Sequence, residues 1–434
     1  MEERKVALRK KIGIGILAMA MLMSCLVGCA SNSGNKVQTV GEEHKEQVTL
    51  TFFGNKADES NVHVIESIMS SFMKEHPHIV ITYESIKGTD YYDALNKRME
   101  NGTGDDIFMV NHDTMLEFHA KGQVADLTGL STIDSYTDDQ KSQFVSEDGI
   151  FWLPTTVSSF GLYCNMDMLK EHNQSVPTNI KEFEAVCDYF LGKGITPIVA
   201  NNDISLKTMA IGVSYFDEYQ SGTEGQLFAD LNSEKIGLGE SLDDGLAVVE
   251  GLIQKGYVDA PVALETKKTS GDLEAFAKGE NPFMLTGAWA SNRVKNDFGA
   301  TFNYEVHPLP VLEDGSLIVI NPDVRLSVNA DSKHIEEAKL FVEYFTQAEN
   351  LQAFCDDQCS ISPLKNGKES SIKEIHPVVE CFEEGSVVIG TDSRLNLPIW
   401  DVTKDASQSL LKGTDMAAVV NEIDNSIQEY IAEN

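Results

Sequence analysis

Val48-Thr49-Leu50-Thr51-Phe52 opens the stretch whose order of patterns decides the fold. These residues alternate and are rich in β-branched side chains, which predicts a strand. From Asn61 onward, Ile65, Ile68, Met69 and Phe72 recur at the spacing of one helical face, and His76-Pro77 ends that helix. Ile79 to Tyr83 reads as a second strand, and residues 90–100 place Tyr91, Leu95 and Met99 on one face of a second helix. After Gly102 and Gly104, Ile107-Phe108-Met109-Val110 reads as a buried strand. Strand, helix, strand, helix, strand predicts an α/β fold with a parallel sheet covered on both faces.

The same rhythm continues down the chain. Phe160 to Tyr163 is strand-like, and Asn179 caps a helix carrying Phe183, Val186, Cys187 and Phe190. Ile195 to Ala200 predicts a strand, residues 243–255 and 270–278 two helices, and Phe283-Met284-Leu285 a short buried strand. A strand at 324–328, an amphipathic helix from Ile335 to Phe345 and a C-terminal helix over 414–433 complete the pattern. Residues 30–47 are polar and form no core, which predicts a flexible tether.

Composition narrows the classes. The chain has 434 residues, enough for roughly two or three domains. It carries 34 Lys and Arg against 68 Asp and Glu, a formal charge of −34, which disfavours nucleic acid and anionic lipid head groups as partners. Cysteines stand at 25, 29, 164, 187, 355, 359 and 381; this scattered set is no disulfide framework and has no zinc spacing, although whether Cys355 and Cys359 pair stays open.

The N-terminus reads as an export signal. Arg4, Lys5, Arg9, Lys10 and Lys11 precede an apolar run from Ile12 to Gly28. Leu26-Val27-Gly28-Cys29 resembles the bacterial lipobox, which implies removal of residues 1–28, a diacylglycerol on Cys29, and a tether over 29–47 outside the cytoplasm. The competing reading is a transmembrane anchor, for which this run is at the lower length limit.

Six segments in order carry a wider resemblance: Phe72 to Ile79; Gly102 to Leu127; Leu153-Pro154 with Leu162-Tyr163-Cys164-Asn165-Met166-Asp167 and Val176 to Phe183; Gly194 to Ile198; Phe276 to Ala290; and Leu326 to Phe345. Together they resemble the extracellular solute-binding proteins, family 1, of sugar ABC transporters, with Asp105 where that family usually has proline. The resemblance implies a type II periplasmic-binding-protein fold: two α/β lobes joined by crossover strands, with the ligand between them. It implies residues 46–155 plus 322–362 in lobe 1 and 156–321 plus 363–434 in lobe 2. It further implies a carbohydrate ligand (a mono- or oligosaccharide), permease subunits with a separate ATPase, no cofactor, and a lipid-anchored position on the extracellular face of a Gram-positive-type membrane.

A sugar offers apolar ring faces and a rim of hydroxyls, so its site needs aromatic platforms and planar polar groups. Sites in open α/β sheets form beyond the carboxyl ends of strands. After the first strand stand Phe53 and Asn55; Phe53 takes a position where the family often has Trp, and core burial is the competing reading. After the 107–110 strand stand Asn111, His112 and Asp113, the last where a family member has a sugar-binding aspartate. Trp289 lies in the family's Gly-x-Trp element. Ser158 and Thr156 lie on the crossover, and Asn201, Asn202 and Asp203 follow the 195–200 strand. Arg325 is a candidate for a hydroxyl pair or an ion pair with Asp323, and Trp400 for cleft or core. Trp152 packs at the hinge or adds an aromatic there.

No catalytic signature supports an enzyme: Gly-x-Ser-x-Gly, His-Glu-x-x-His and a phosphate loop are all missing from the sequence. Three alternatives remain: a receptor of the same fold for a cationic solute such as a polyamine, a sensor or adhesion lipoprotein of that fold, and a secreted glycoside-acting enzyme with paired carboxylates.

Overall fold

The computed structural model describes residues 46–88 and 90–433. The signal, Cys25, Cys29 and all but the last two residues of the tether lie outside the described residues. Among the described residues ten strands form the sheet system: β1 (Val48–Gly54), β2 (Ile79–Ser85), β3 (Ile107–Val110), β4 (Leu153–Asn165), β5 (Ile198–Val199), β6 (Phe283–Gly287), β7 (Tyr304–His307), β8 (Leu309–Leu312), β9 (Gly315–Val328) and β10 (Val387–Ile389). Their main path runs β2-β1-β3-β9-β4-β6-β5.

The expected parallel pairing holds for β1 with β2 and with β3, and for β5 with β6. It fails at the centre. β4 and β9 are antiparallel to each other, β9 also to β3, and β4 also to β6. The 160–163 pattern is the end of the 13-residue β4, buried along its whole length, and the 324–328 pattern is the end of the 14-residue β9. A strand buried on both faces shows no alternation, so its length is hidden from pattern reading. The 195–200 strand is shorter than expected, only Ile198–Val199.

Three packed clusters result. One gathers Leu50, Phe52, Phe72, Leu95, Phe108, Leu326 and Phe341. The other two gather Leu162, Phe183, Leu246, Phe283, Val388 and Leu410, and Tyr163, Phe276, Met284 and Ile320. Along β4 the chain passes from the first cluster at Leu153 to the others at Val157, and along β9 from Ile320 to Val324. Val324 is left-handed at φ 46°, which is strained for a β-branched residue. It sits between Asp323 and Arg325, where the Thr155–Val324 pair drops out of an otherwise unbroken register.

The helices follow local rules. Asn179 Oδ1 accepts the Glu182 N–H at 3.0 Å and caps the helix Ile180–Leu191, as its sequence position predicts. The first helix begins at Glu59 rather than Asn61. The helix Ile204–Ser221 has no counterpart in the sequence reading. Its first nine residues are buried, so no single apolar stripe marks it. Gly212 lets it approach β9: a Cβ there would lie 2.8 Å from both Leu317 and Val319 side chains. Cys164, Cys187, Cys355, Cys359 and Cys381 are buried free thiols, so Cys355 and Cys359 do not pair. Among the described residues, no helix is long and apolar enough to cross a membrane.

Candidate ligand-binding cleft

The paired segments of β4 and β9 form a polar floor between the first cluster and the other two. Thr156 lies opposite Asp323, Ser158 opposite Asn321, and Phe160 opposite Val319. Alternate residues of a strand share a face, so Thr156, Ser158 and Phe160 point the same way. Phe160 fixes which way: its ring lies 5.9 Å from Trp289 and 5.4 Å from Trp400. Ser158 Oγ donates to Asp323 Oδ2 at 2.8 Å.

Trp289 and Trp400 are both half-buried. Trp289 depends on Gly287 for its place, because a Cβ at 287 would lie 2.0 Å from the indole. Trp400 opens the helix Ile399–Leu411, and the Lys207 ammonium sits 4.2 Å from its ring centre, a cation–π contact. Lys207 also donates to Asp203 at 2.6 Å, and Lys268 pairs with the other Asp203 oxygen. Burial works to raise the Asp203 carboxyl, but the two ammonium groups override it and hold it well below the usual carboxylate range.

Opposite stand groups from the first cluster's side. Asn55 Nδ2 donates to the Tyr92 hydroxyl at 3.1 Å. Burial, then Asp323, push that hydroxyl up, with Asp401 and Arg325 also close enough to act on it. Asp113 Oδ2 accepts the Asp401 backbone N–H at 3.3 Å. Burial, then the Asp401 charge, raise Asp113 to about 7, against Lys207 and Arg325. Four buried polar atoms around this space have no hydrogen-bond partner: Asn55 Oδ1, Asp113 Oδ1, Thr156 Oγ1 and Asn321 Oδ1.

The expected residues therefore divide. Asn55, Asp113, Ser158, Asp203, Trp289 and Trp400 converge here, and Arg325 lies at the edge. Phe53 does not: its ring is fully buried, 4.7 Å from Tyr91, with the Arg98 guanidinium 3.8 Å from its centre. β1 runs on to Gly54 and buries Phe52, Phe53 and Gly54 in succession, so a Phe there has no access to a ligand in this conformation. Asn111 spends its side chain as a helix cap, accepting from Thr114 N at 2.8 Å. Asn201 and Asn202 are likewise structural: Asn201 Oδ1 accepts from the N–H groups of Asp203 and Ile204, and Asn202 Nδ2 donates to Leu264 O.

Arg325 forms no bond to Asp323. It donates to Pro322 O at 3.0 Å and to Thr391 O and Oγ1 at 3.2 Å, and its guanidinium lies 4.1 Å from the Trp152 ring centre. Burial lowers it to about 10, opposed by Asp323 and Asp113, so it stays charged at neutral pH. Trp152 is thus a packed residue directly before β4.

Sequence reading missed Tyr92, Lys207, Asn321 and Asp401. Lys207 left a signal, standing four residues after Asp203 on one helical face. Tyr92 left another, an aromatic beside Tyr91 but off the apolar face. Asn321 and Asp401 left none. No group of three metal-ligating side chains occurs among the described residues.

A polar floor of two crossing strands, walled by groups from separate cores and flanked by indoles, defines a two-lobed receptor for a small polar solute. The comparisons agree. Residues 67–374 match the profile of the bacterial extracellular solute-binding proteins, and the chain belongs to that family. It is 22% identical over 380 residues to the multiple sugar-binding protein of Streptococcus mutans, covering 85% of this chain and 86% of that one. Its fold is that of the solute-binding protein RafE in complex with raffinose (TM-score 0.71, 20% identity, 87% of this chain and 98% of that one). A sugar transporter protein from Bacillus licheniformis in complex with stachyose is also similar (TM-score 0.65, 19% identity, 88% and 99%).

Proposed function

We propose that this protein captures a carbohydrate between its two lobes and delivers it to an ABC permease driven by a separate ATPase. One observation carries the ligand class. Asn55 Oδ1, Asp113 Oδ1 and Asn321 Oδ1 are buried polar atoms without partners, around a floor whose Phe160 packs on the half-buried Trp289. Buried polar atoms demand partners, and sugar hydroxyls supply donors while the ring's apolar face suits an indole. The multiple sugar-binding relative and the raffinose- and stachyose-bound neighbours support the same class. Lobe 1 then comprises 46–155 with 322–362, and lobe 2 comprises 156–321 with 363–434, hinging about β4 and β9.

The Lys207 ammonium on the site makes a polyamine a poorer ligand than a neutral sugar despite the acidic surface. The protein returns its sugar intact rather than hydrolysing it. Cys29 carries the lipid that holds the receptor on the outer face of the membrane, and Cys29→Ala should release it to the medium and abolish incorporation of a labelled fatty acid.

The test is a thermal-shift screen of raffinose, stachyose, shorter sugars and polyamines, followed by calorimetry. A sugar should raise the melting temperature, because it binds only the folded state. Stabilisation by a polyamine and by no sugar would overturn the ligand class.

A further inference from the structure

His112 and Asp113 are neighbours in the first turn of the helix His112–Ala120, which packs into the first cluster through Met115 and Phe118. Both face chain from the other side. Asp113 Oδ2 accepts the Asp401 N–H, and His112 lies against the backbone of Leu395 and Leu397. Each also holds a buried polar atom without a partner, Asp113 Oδ1 and His112 Nε2. Both contacts are made to the one segment 395–401, so a separation of the halves there would break them together.

The surrounding charges come from every packed element. Arg325 of β9 faces both residues. Asp392, itself held by Arg394, faces His112. Asp401, which pairs with Lys404 at 3.1 Å, and Lys207 face Asp113. Tyr430 of the C-terminal helix lies near Asp113 and Glu117.

We propose that His112 and Asp113 are a compensating proton pair on the closing face: as the halves close, His112 gives up a proton and Asp113 takes one up. The transfer balances, so closure needs no net proton exchange with solvent. This inference concerns lobe motion, and it rests on the carbohydrate reading only for its consequence, capture that is insensitive to mild acidity.

The signs oppose. In the arrangement seen here, burial, then Arg325, lower His112 to about 3, while burial, then Asp401, raise Asp113 to about 7. Opened to water, they return to about 6.5 and 4. Closing is therefore resisted by His112 as pH falls below its ordinary value. It is favoured by Asp113 at low pH, a gain lost as pH rises through about 7. Each alone changes the closing constant by up to about tenfold per pH unit in its window, in opposite directions.

Small-angle X-ray scattering of the ligand-free protein at pH 5 and pH 8 reads lobe separation directly. The wild type should have the same radius of gyration at both. Asp113→Asn should expand on acidification and His112→Gln on alkalinisation. Asp401→Asn, which keeps both residues, should be a weaker copy of Asp113→Asn. Variants that respond in the same direction, or none that respond at all, would overturn the pair. Calorimetry with sugar at one pH judges the ligand class separately: a protein that binds sugar without these opposite responses keeps its ligand and loses the pair.

Discussion

The Lys207 ammonium lies 4.2 Å from the centre of the Trp400 ring while ion-paired to Asp203 at 2.6 Å. Lys207 is only 1% exposed, so this cation is desolvated and depends on both neighbours. Lys207→Met should cost about 3 kcal/mol in urea unfolding, near the lower end for breaking a buried pair because Lys268 still neutralises Asp203. Loss within experimental error would show that the pair contributes nothing.

Trp289 is expected to be the stacking platform. Trp289→Ala should weaken sugar binding by about 1–3 kcal/mol in calorimetry. Gly287→Ala should reproduce much of that loss by pushing the indole aside, since its Cβ would lie 2.0 Å from the ring. Unchanged affinity in folded variants would remove Trp289 from the site.

Phe53 should behave as core. Phe53→Ala should destabilise the fold by about 3–5 kcal/mol, as for a large buried aromatic, and leave sugar affinity per folded molecule unchanged. A specific loss of affinity without loss of stability would return Phe53 to the binding site.

Asp392 ties together three segments distant in the chain. It accepts from Gln143 Nε2 at 3.1 Å, from the Tyr219 hydroxyl at 2.8 Å and from Arg394 Nη2 at 2.6 Å. Burial works to raise its carboxyl, but Arg394 overrides that and holds it below the usual range. A depressed carboxylate contributes stability that is present above the ordinary value of about 4 and lost as pH falls below it. Asp392→Asn should cost about 1–3 kcal/mol at pH 7 and much less at pH 3 in denaturant titrations. Equal losses at both pH values would exclude the ionised carboxylate as the source.

The fold was legible wherever local rules apply. The Val48–Val110 order, the Asn179 cap and the Ile335–Phe345 stripe all appear in the structure because periodicity and capping involve residues within a turn of one another. The parallel-sheet expectation failed at β4 and β9, whose pairing joins residues far apart in sequence. The site was half legible. Asp113 and Trp289 stand beyond strand ends, where position alone marks them. Phe53, near Asn55 by the same rule, went to the core, because β1 does not end at Phe52 but runs on to Gly54, and its last three residues are all buried.

By itself the sequence determined the kinds of element, their order, and the chemistry available: aromatic platforms, amides and carboxylates after strands. Only the tertiary structure decided which of them meet. It set Lys207 on Trp400, Asn321 across from Ser158, and the Asp401 N–H on Asp113, contacts between segments about 160 to 290 residues apart in the chain. The physical reason is that secondary structure is set by short-range hydrogen bonding and apolar spacing, whereas a site between two cores is set by the antiparallel register of β4 on β9, which no local pattern encodes.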